Sequence, residues 1–491
     1  MATTRLVYKA ILETFGTDYA AFRVLGTLAV LLSAGLFFSL VKRRIGAVPA
    51  LAPTLVLLFF GSAWGHVVVP IGFTDIFSIA AGLAALLALE RGDPRGDVAA
   101  CALLALSVAT FSIGIAFAVG IAISVLIRPD RRRRAWIFLI PLVLYAGWWL
   151  YALPTESPAE PQAKASNVLV LPSYVAESLA AVTGALVGLD YDFANPAEGL
   201  ELGWGRIVAT LAVVALVLRI RRGSVPASLW VSLGILLTYW GLASLVVDPL
   251  TRPPGANRYI YTGAVGVLLV ATAAAGGIRF SRLGLAALFA AAAISLATNL
   301  ALLRDGAARF RNDYSSPARA QFAMLELARG HVDPGFDPAG AVPPDVSPVS
   351  SPAATYFAVV DRYGSPAYSL SELERQADGV RQDGDRILAS ALGLHLEASA
   401  SGGPAKRCRD YRSTGAGEAI VFELPAGGAS LHVRAAGPSP VAVGRFADTT
   451  SVELGSVSPG ETATLAIPSD SAPNPWRASV GGARSVKVCG P

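Results

Sequence analysis

The residues best suited to chemistry sit in a few polar interruptions of a largely apolar chain. One is Pro253-Pro254-Gly255-Ala256-Asn257-Arg258-Tyr259-Ile260-Tyr261, where a polar loop enters an apolar run. A guanidinium there can hold a phosphate bidentately in a low-dielectric setting. The same position also suits a snorkelling arginine, with Tyr259 and Tyr261 as an aromatic belt at interface depth. Asp75 is the second. It opens an apolar run after Pro70-Ile71-Gly72-Phe73, with Trp64 and His66 just before. A carboxylate in a membrane segment is costly and points to function. At a helix start it can equally cap the N-terminus, with Thr74 as the alternative cap. Glu13 and Asp18 precede the first long apolar run, and Asp18 with Arg23 also reads as a juxtamembrane pair. Glu177, Asp190, Asp192, Glu198 and Glu201 read as a solvated acidic loop.

No soluble-enzyme motif stands beside these residues. There is no phosphate-binding glycine loop, no dinucleotide fingerprint, no GxSxG and no HExxH. Of the four histidines, His66, His331, His395 and His432, only His66 lies in the apolar part. No metal site is expected, because Cys408 and Cys489 lack a CxxC partner or a nearby His pair. That pair can instead close a disulfide if the region faces an oxidising compartment. Cys101, in an apolar run, reads as a small core residue.

The elements that must position these residues follow from composition. Of 491 residues, 53% are hydrophobic and only 15% charged. The mean hydropathy is +0.53. That excludes a single soluble globular protein and a disordered one, since a bilayer absorbs such an apolar load and a core does not. The net charge of +5 does not imply nucleic acid, because the arginines fall in short clusters between apolar runs. Apolar segments run near 22–41, 51–69, 74–89, 98–111, 113–127, 135–152, 207–218, 227–247, 258–278 and 283–303. The short pair 98–111 and 113–127 reads as a re-entrant pair or as two tilted spans.

Five short loops carry most of the membrane-part basic residues: Lys42 to Arg44; Arg91 and Arg95; Arg128 and Arg131 to Arg134; Arg219, Arg221 and Arg222; Arg279 and Arg282. The positive-inside rule places these loops in the cytoplasm and both termini outside. Residues 168–189 would break that pattern if they crossed. Pro172 and Glu177 interrupt them, so they are read as an interfacial or re-entrant helix in an outer loop, 153–206.

The expected architecture is a polytopic α-helical membrane protein of about ten spans with an exported C-terminal α+β domain. Residues 1–303 form the membrane part. Residues 304–352 hold a helix at 317–330 and a Pro-rich spacer, Asp333 to Pro352, expected to be extended rather than packed. Residues 353–491 form the exported domain. Ser369-Leu370-Ser371-Glu372 resembles a capping box opening a helix to about Leu394. Strands at 418–424, 430–435, 440–446, 451–455, 461–467, 476–480 and 484–488 read as a small β-sandwich. Cys408 is expected before its first strand and Cys489 after its last, so that a bridge would tie the domain's ends.

This arrangement resembles the C-type membrane glycosyltransferases, which take a sugar from a polyprenyl-phosphate carrier at the outer face. The likeness covers about residues 1–303. It rests on Gly16-Thr17-Asp18-Tyr19 through Arg23, on the paired short spans, and on Asn257-Arg258-Tyr259-Ile260-Tyr261. It implies that Arg258, with Asn257 and Tyr259, holds the lipid phosphate. It also implies that Asp18, Glu13 or Asp75 serves as base toward an acceptor hydroxyl on an extracytoplasmic glycan or protein. That family begins with an earlier span and an acidic outer loop, which supplies a base or binds a metal. Here Arg5, Lys9, Glu13 and Asp18 follow Met1 directly. The chain is therefore read as starting late against that pattern or as a relative without the catalytic acid. A divalent cation is expected only if such a loop exists. The competing class is a non-catalytic membrane scaffold that binds envelope polysaccharide or carrier lipid. The expected location is the plasma membrane, multi-pass.

Overall fold

A computed structural model describes residues 2–152, 164–189, 202–223, 225–248, 252–342, 349–399, 407–413, 415, 418–470 and 472–490. Asp190, Asp192, Glu198, Glu201, Pro343, Pro344 and Pro348 lie outside the described residues. The chain divides into two compact units, Met1–Phe15 with Tyr19–Ala308, and Gly16–Asp18 with Arg309–Pro491.

The first unit is helical: α1 (Ala2–Phe15), α2 (Tyr19–Ile45), α3 (Ala47–Leu58), α4 (Trp64–Val67), α5 (Phe73–Leu89), α6 (Pro94–Thr110) and α7 (Ile113–Leu126). There follow α8 (Arg131–Arg134), α9 (Trp136–Ala152), α10 (Leu171–Val187), α11 (Leu202–Arg221), α12 (Ala227–Leu245), α13 (Asn257–Ala274) and α14 (Arg282–Arg309). Among the described residues, eight helices are long and apolar enough to cross a membrane. The short helix α7, the 17-residue α6 and α13 fall outside that group. Polar side chains join the helices where apolar packing gives no direction. Ser78 Oγ donates to Ser107 O at 2.9 Å and Ser107 Oγ donates back to Ser78 O at 2.7 Å, clasping α5 to α6. Such pairs act as glue between apolar helices.

The five basic loops gather at one end of this unit. Arg43 pairs with Glu90 at 2.8 Å. Arg134 forms a bidentate pair with Asp97. Arg44 Nη1 donates to Leu269 O at 3.1 Å, and Arg219 Nε donates to Ala274 O at 3.1 Å. The C-terminal ends of α2, α5, α11 and α13 therefore meet. The N-terminus of α13 lies about 27 Å away by helical rise.

Helix α10 is continuous, because Pro172 occupies its first turn, where the missing N–H costs nothing. Gly188, at φ 73°, ends it in the left-handed conformation. Length alone would let it cross with the turn before it. Its contacts put it across the end opposite the basic loops. Ahead of it, Asn167 Nδ2 donates to Leu245 O, at the C-terminus of α12, at 2.9 Å. Near its C-terminus, Thr183 Oγ1 donates to Gly205 O at 3.1 Å. Gly205 begins α11, so both ends of α10 touch the same end of the bundle.

The second unit has α15 (Ser316–Leu327), α16 (Ala353–Tyr363), α17 (Leu370–Leu373) and α18 (Asp378–Ala391). Its strands are β1 (Glu397–Ser399), β2 (Arg407–Arg412), β3 (Ile420–Glu423), β4 (Gly428–Ala435), β5 (Ser439–Gly444), β6 (Val452–Val457), β7 (Thr462–Ala466), β8 (Arg477–Val480) and β9 (Ala483–Gly490). They form two antiparallel sheets, ordered β1-β7-β4-β9-β2 and β3-β8-β5-β6. Leu431, Val433, Val486 and Val488 of one sheet and Phe422, Val441, Val443 and Val480 of the other fill the core. The capping box at Ser369 is present. The helix it opens stops at Leu373 rather than Leu394, because Ala377 is extended and a new helix starts at Asp378. The described part of the Pro-rich stretch is packed rather than extended. Val342 joins the core, and Gln321 Nε2 donates to Val349 O at 2.7 Å.

Cys408 does not precede the first strand. It lies within β2, directly opposite Cys489 of β9, with Cα atoms 4.1 Å apart and a disulfide between them. The bridge staples an edge strand that is almost wholly exposed. Reduction should cost about 2–4 kcal/mol, much of it through the unfolded chain. Alkylation of the folded, non-reduced protein should label neither cysteine. Labelling of both would contradict the bridge.

Candidate functional site

The site is built on the irregular turn between α3 and α5, residues 59–72, at the end of the first unit opposite the basic loops. Non-helical backbone is tolerated at such a place only when its polar groups find partners inside the protein. Two asparagines supply them. Asn299 of α14, fully buried, accepts from Ser62 N at 3.0 Å and donates to Ser295 O at 2.9 Å. Asn257 of α13 accepts from Gly65 N at 2.8 Å and donates to Ser62 O at 3.1 Å. Tyr8 of α1 donates to Pro70 O at 3.0 Å. Two glycines are required by close approach. A Cβ at Gly61 would collide with Asn299 O, and one at Gly72 with His66 O.

The turn brings His66 Nε2 against Asp75 Oδ2 in a short contact. Both side chains are mostly buried, 11% and 14% exposed. Asp75 lies in the first turn of α5, whose N-cap residue is Gly72. Asn257 binds the backbone one residue before His66, so the start of α13 and the His66–Asp75 pair belong to one structure. Arg258 follows Asn257 and is exposed. Tyr259 is half-buried, edge-on to Tyr174 with ring centroids 6.4 Å apart, and its carbonyl accepts from Tyr239 Oη at 3.4 Å. Tyr261 is fully buried, tilted against Phe60 with ring centroids 6.5 Å apart.

These contacts bring Asp75, His66 and Asn257 into one turn, and Arg258 and Tyr259 follow Asn257 at the start of α13. Glu13 is exposed near the end of α1. Asp18 is exposed in the turn that belongs to the second unit, whose Thr17 bonds Tyr363 O and Gly364 O. No group of three or more His, Cys, Asp or Glu able to hold a metal occurs among the described residues. Sequence reading noted His66 without joining it to Asp75, and it passed over Asn299, which is one polar residue in a long apolar run.

Chemically, a carboxylate on one imidazole nitrogen fixes the tautomer and leaves the other nitrogen to take a proton. An exposed guanidinium on the same platform offers a fork for a phosphate. Comparisons with family models, with curated proteins and with solved structures found no match to this chain.

Proposed function

We propose that this chain is a membrane glycosyltransferase-like protein that moves a sugar from a polyprenyl-phosphate carrier to an extracytoplasmic glycan or protein. The observation that supports this reading is the His66–Asp75 pair held on one platform with Arg258, at the bundle end away from the basic loops. An acceptor hydroxyl attacks the anomeric carbon, and its proton passes to the His66–Asp75 pair. The bond from that carbon to the phosphate oxygen breaks. Arg258 balances the charge left on the polyprenyl phosphate. The carboxamide of Asn257 is committed to backbone, which makes it a positioning residue in this scheme. Tyr259 flanks the phosphate.

Transfer at the outer face requires the basic-loop end to lie in the cytoplasm. Lys164→Cys, at the site end, should react with a membrane-impermeant thiol reagent in whole cells, and Arg132→Cys should not. The reverse pattern would put Arg258 on the cytoplasmic side and remove an outer-face carrier from consideration.

A further inference from the structure

A second feature lies away from this platform. A groove of about 650 Å³ runs between α10, α11, α12 and α13 from the basic-loop end up to Trp240. Its walls are apolar, with Leu216, Leu236, Val267 and Val270 among them. Leu218 and Leu237, also in its lining, are 48% and 51% exposed, so the groove opens sideways from the bundle. Among the described residues, its charged lining is Arg219 and Arg222, with no carboxylate. Arg219 is held in place by two carbonyls, Nε donating to Ala274 O and Nη1 to Gly223 O, both at 3.1 Å. Arg222 is exposed.

We infer that this groove binds one chain of an anionic diacyl phospholipid, with its phosphate at Arg222 and Arg219. The inference rests on the membrane reading of the helices but not on the glycosyltransferase reading. An open, sideways-facing apolar slot takes a hydrocarbon chain at the cost of little polar desolvation. Two guanidiniums with no acid beside them call for an anion at the mouth of that slot. A zwitterionic headgroup brings its own cation and matches them less well. Basic residues near a membrane surface each favour anionic lipid by about 1 kcal/mol, or roughly fivefold.

The test uses full-length protein reconstituted in nanodiscs of equal phosphatidylglycerol and phosphatidylcholine. Retained lipid is then read by native mass spectrometry. Wild type should keep phosphatidylglycerol in excess. Arg222→Gln should lower that excess about fivefold, and adding Arg219→Gln should lower it further. Ala215→Phe, which fills the exposed groove wall, should abolish retention while leaving both arginines. Arg132→Gln removes a basic residue of the same end that does not line the groove, and it should change nothing. Equal retention of the two lipids by wild type would overturn the proposal. So would a loss in Arg132→Gln as large as in Arg222→Gln, which would mean diffuse surface charge. Displacement of phosphatidylglycerol by added polyprenyl phosphate would also overturn it, by giving the groove to the carrier.

Discussion

Arg445→Met should destabilise the second unit by about 3–5 kcal/mol, because it leaves the buried Asp470 charge without its guanidinium. The pair is 5% and 4% exposed and bidentate, with Arg445 Nη2 to Asp470 Oδ1 at 2.8 Å and Nη1 to Oδ2. The same guanidinium donates to Asn474 O at 2.8 Å and Ala472 O at 3.1 Å, and it lies 5.6 Å from the Trp476 ring. Hydrogen-exchange protection of β8 and β9 in the full chain measures the loss. Replacing both partners with apolar residues should recover much of it. A single-mutant cost below about 1 kcal/mol would show that the pair is dispensable.

The pair also sets a pH dependence. Burial pushes the Asp470 carboxyl up. The Arg445 side-chain bonds, the Ala472 N–H and the Arg445 charge outweigh burial and leave it below its usual value. A depressed carboxylate contributes stability that is present above the ordinary range, near pH 4, and is lost as pH falls through the depressed value. Asp385 acts in the opposite direction. Burial raises it despite backbone N–H bonds from Arg445, Phe446 and Ala447. Its contribution therefore weakens as pH rises through the raised value. The acid loss in this unit should follow Asp470; without Arg445, burial is no longer outweighed, so the Asp470 contribution should reverse sign and acidification should narrow the gap between variant and wild type.

Asp75→Asn should lower sugar transfer from the lipid carrier by roughly 10²–10⁴-fold with carrier binding unchanged. The amide keeps the shape beside His66 but no longer fixes the tautomer that leaves a basic nitrogen free. His66→Gln should fall in the same range, and the double mutant should cost little more than either single one, as expected of residues that act as a unit. Turnover and carrier binding measured side by side separate chemistry from structure. If the pair only braces the turn, both variants would weaken carrier binding and lower the melting temperature while turnover of bound carrier stayed near wild type.

Much of the architecture was legible because it rests on local pattern. The apolar runs marked most helices of the first unit, but not α1, and the run 51–69 breaks after Leu58. Short segments separated by Gly, Pro and Ser gave seven strands, each matching an observed one to within a few residues, and left out β1 and β2. β2 was missed because Arg407-Cys408-Arg409-Asp410-Tyr411-Arg412 has no alternation to read. It is an exposed edge strand held by ladder bonds and a disulfide to residues about 80 positions away. The site was legible only in part. Asp75 and the Asn257–Tyr259 segment stand out as polar interruptions. His66 and Asp75 are nine residues apart, which is no helical spacing, and meet only because the turn folds back. The clamps from Asn257 and Asn299 reach across 195 and 237 residues, where a single sequence carries no signal for the pairing.

The most direct measurement is the affinity of full-length protein in nanodiscs for a polyprenyl phosphate. Arg258 is exposed and follows a residue whose carboxamide is fixed to the backbone, so its removal should leave the fold intact. Wild type should bind. Arg258→Lys should bind more weakly, because the planar fork and not charge alone grips the phosphate. Arg258→Ala should lose about 2–5 kcal/mol. Equal binding by all three, or no binding by wild type, would contradict a carrier phosphate at Arg258 and with it the proposed function.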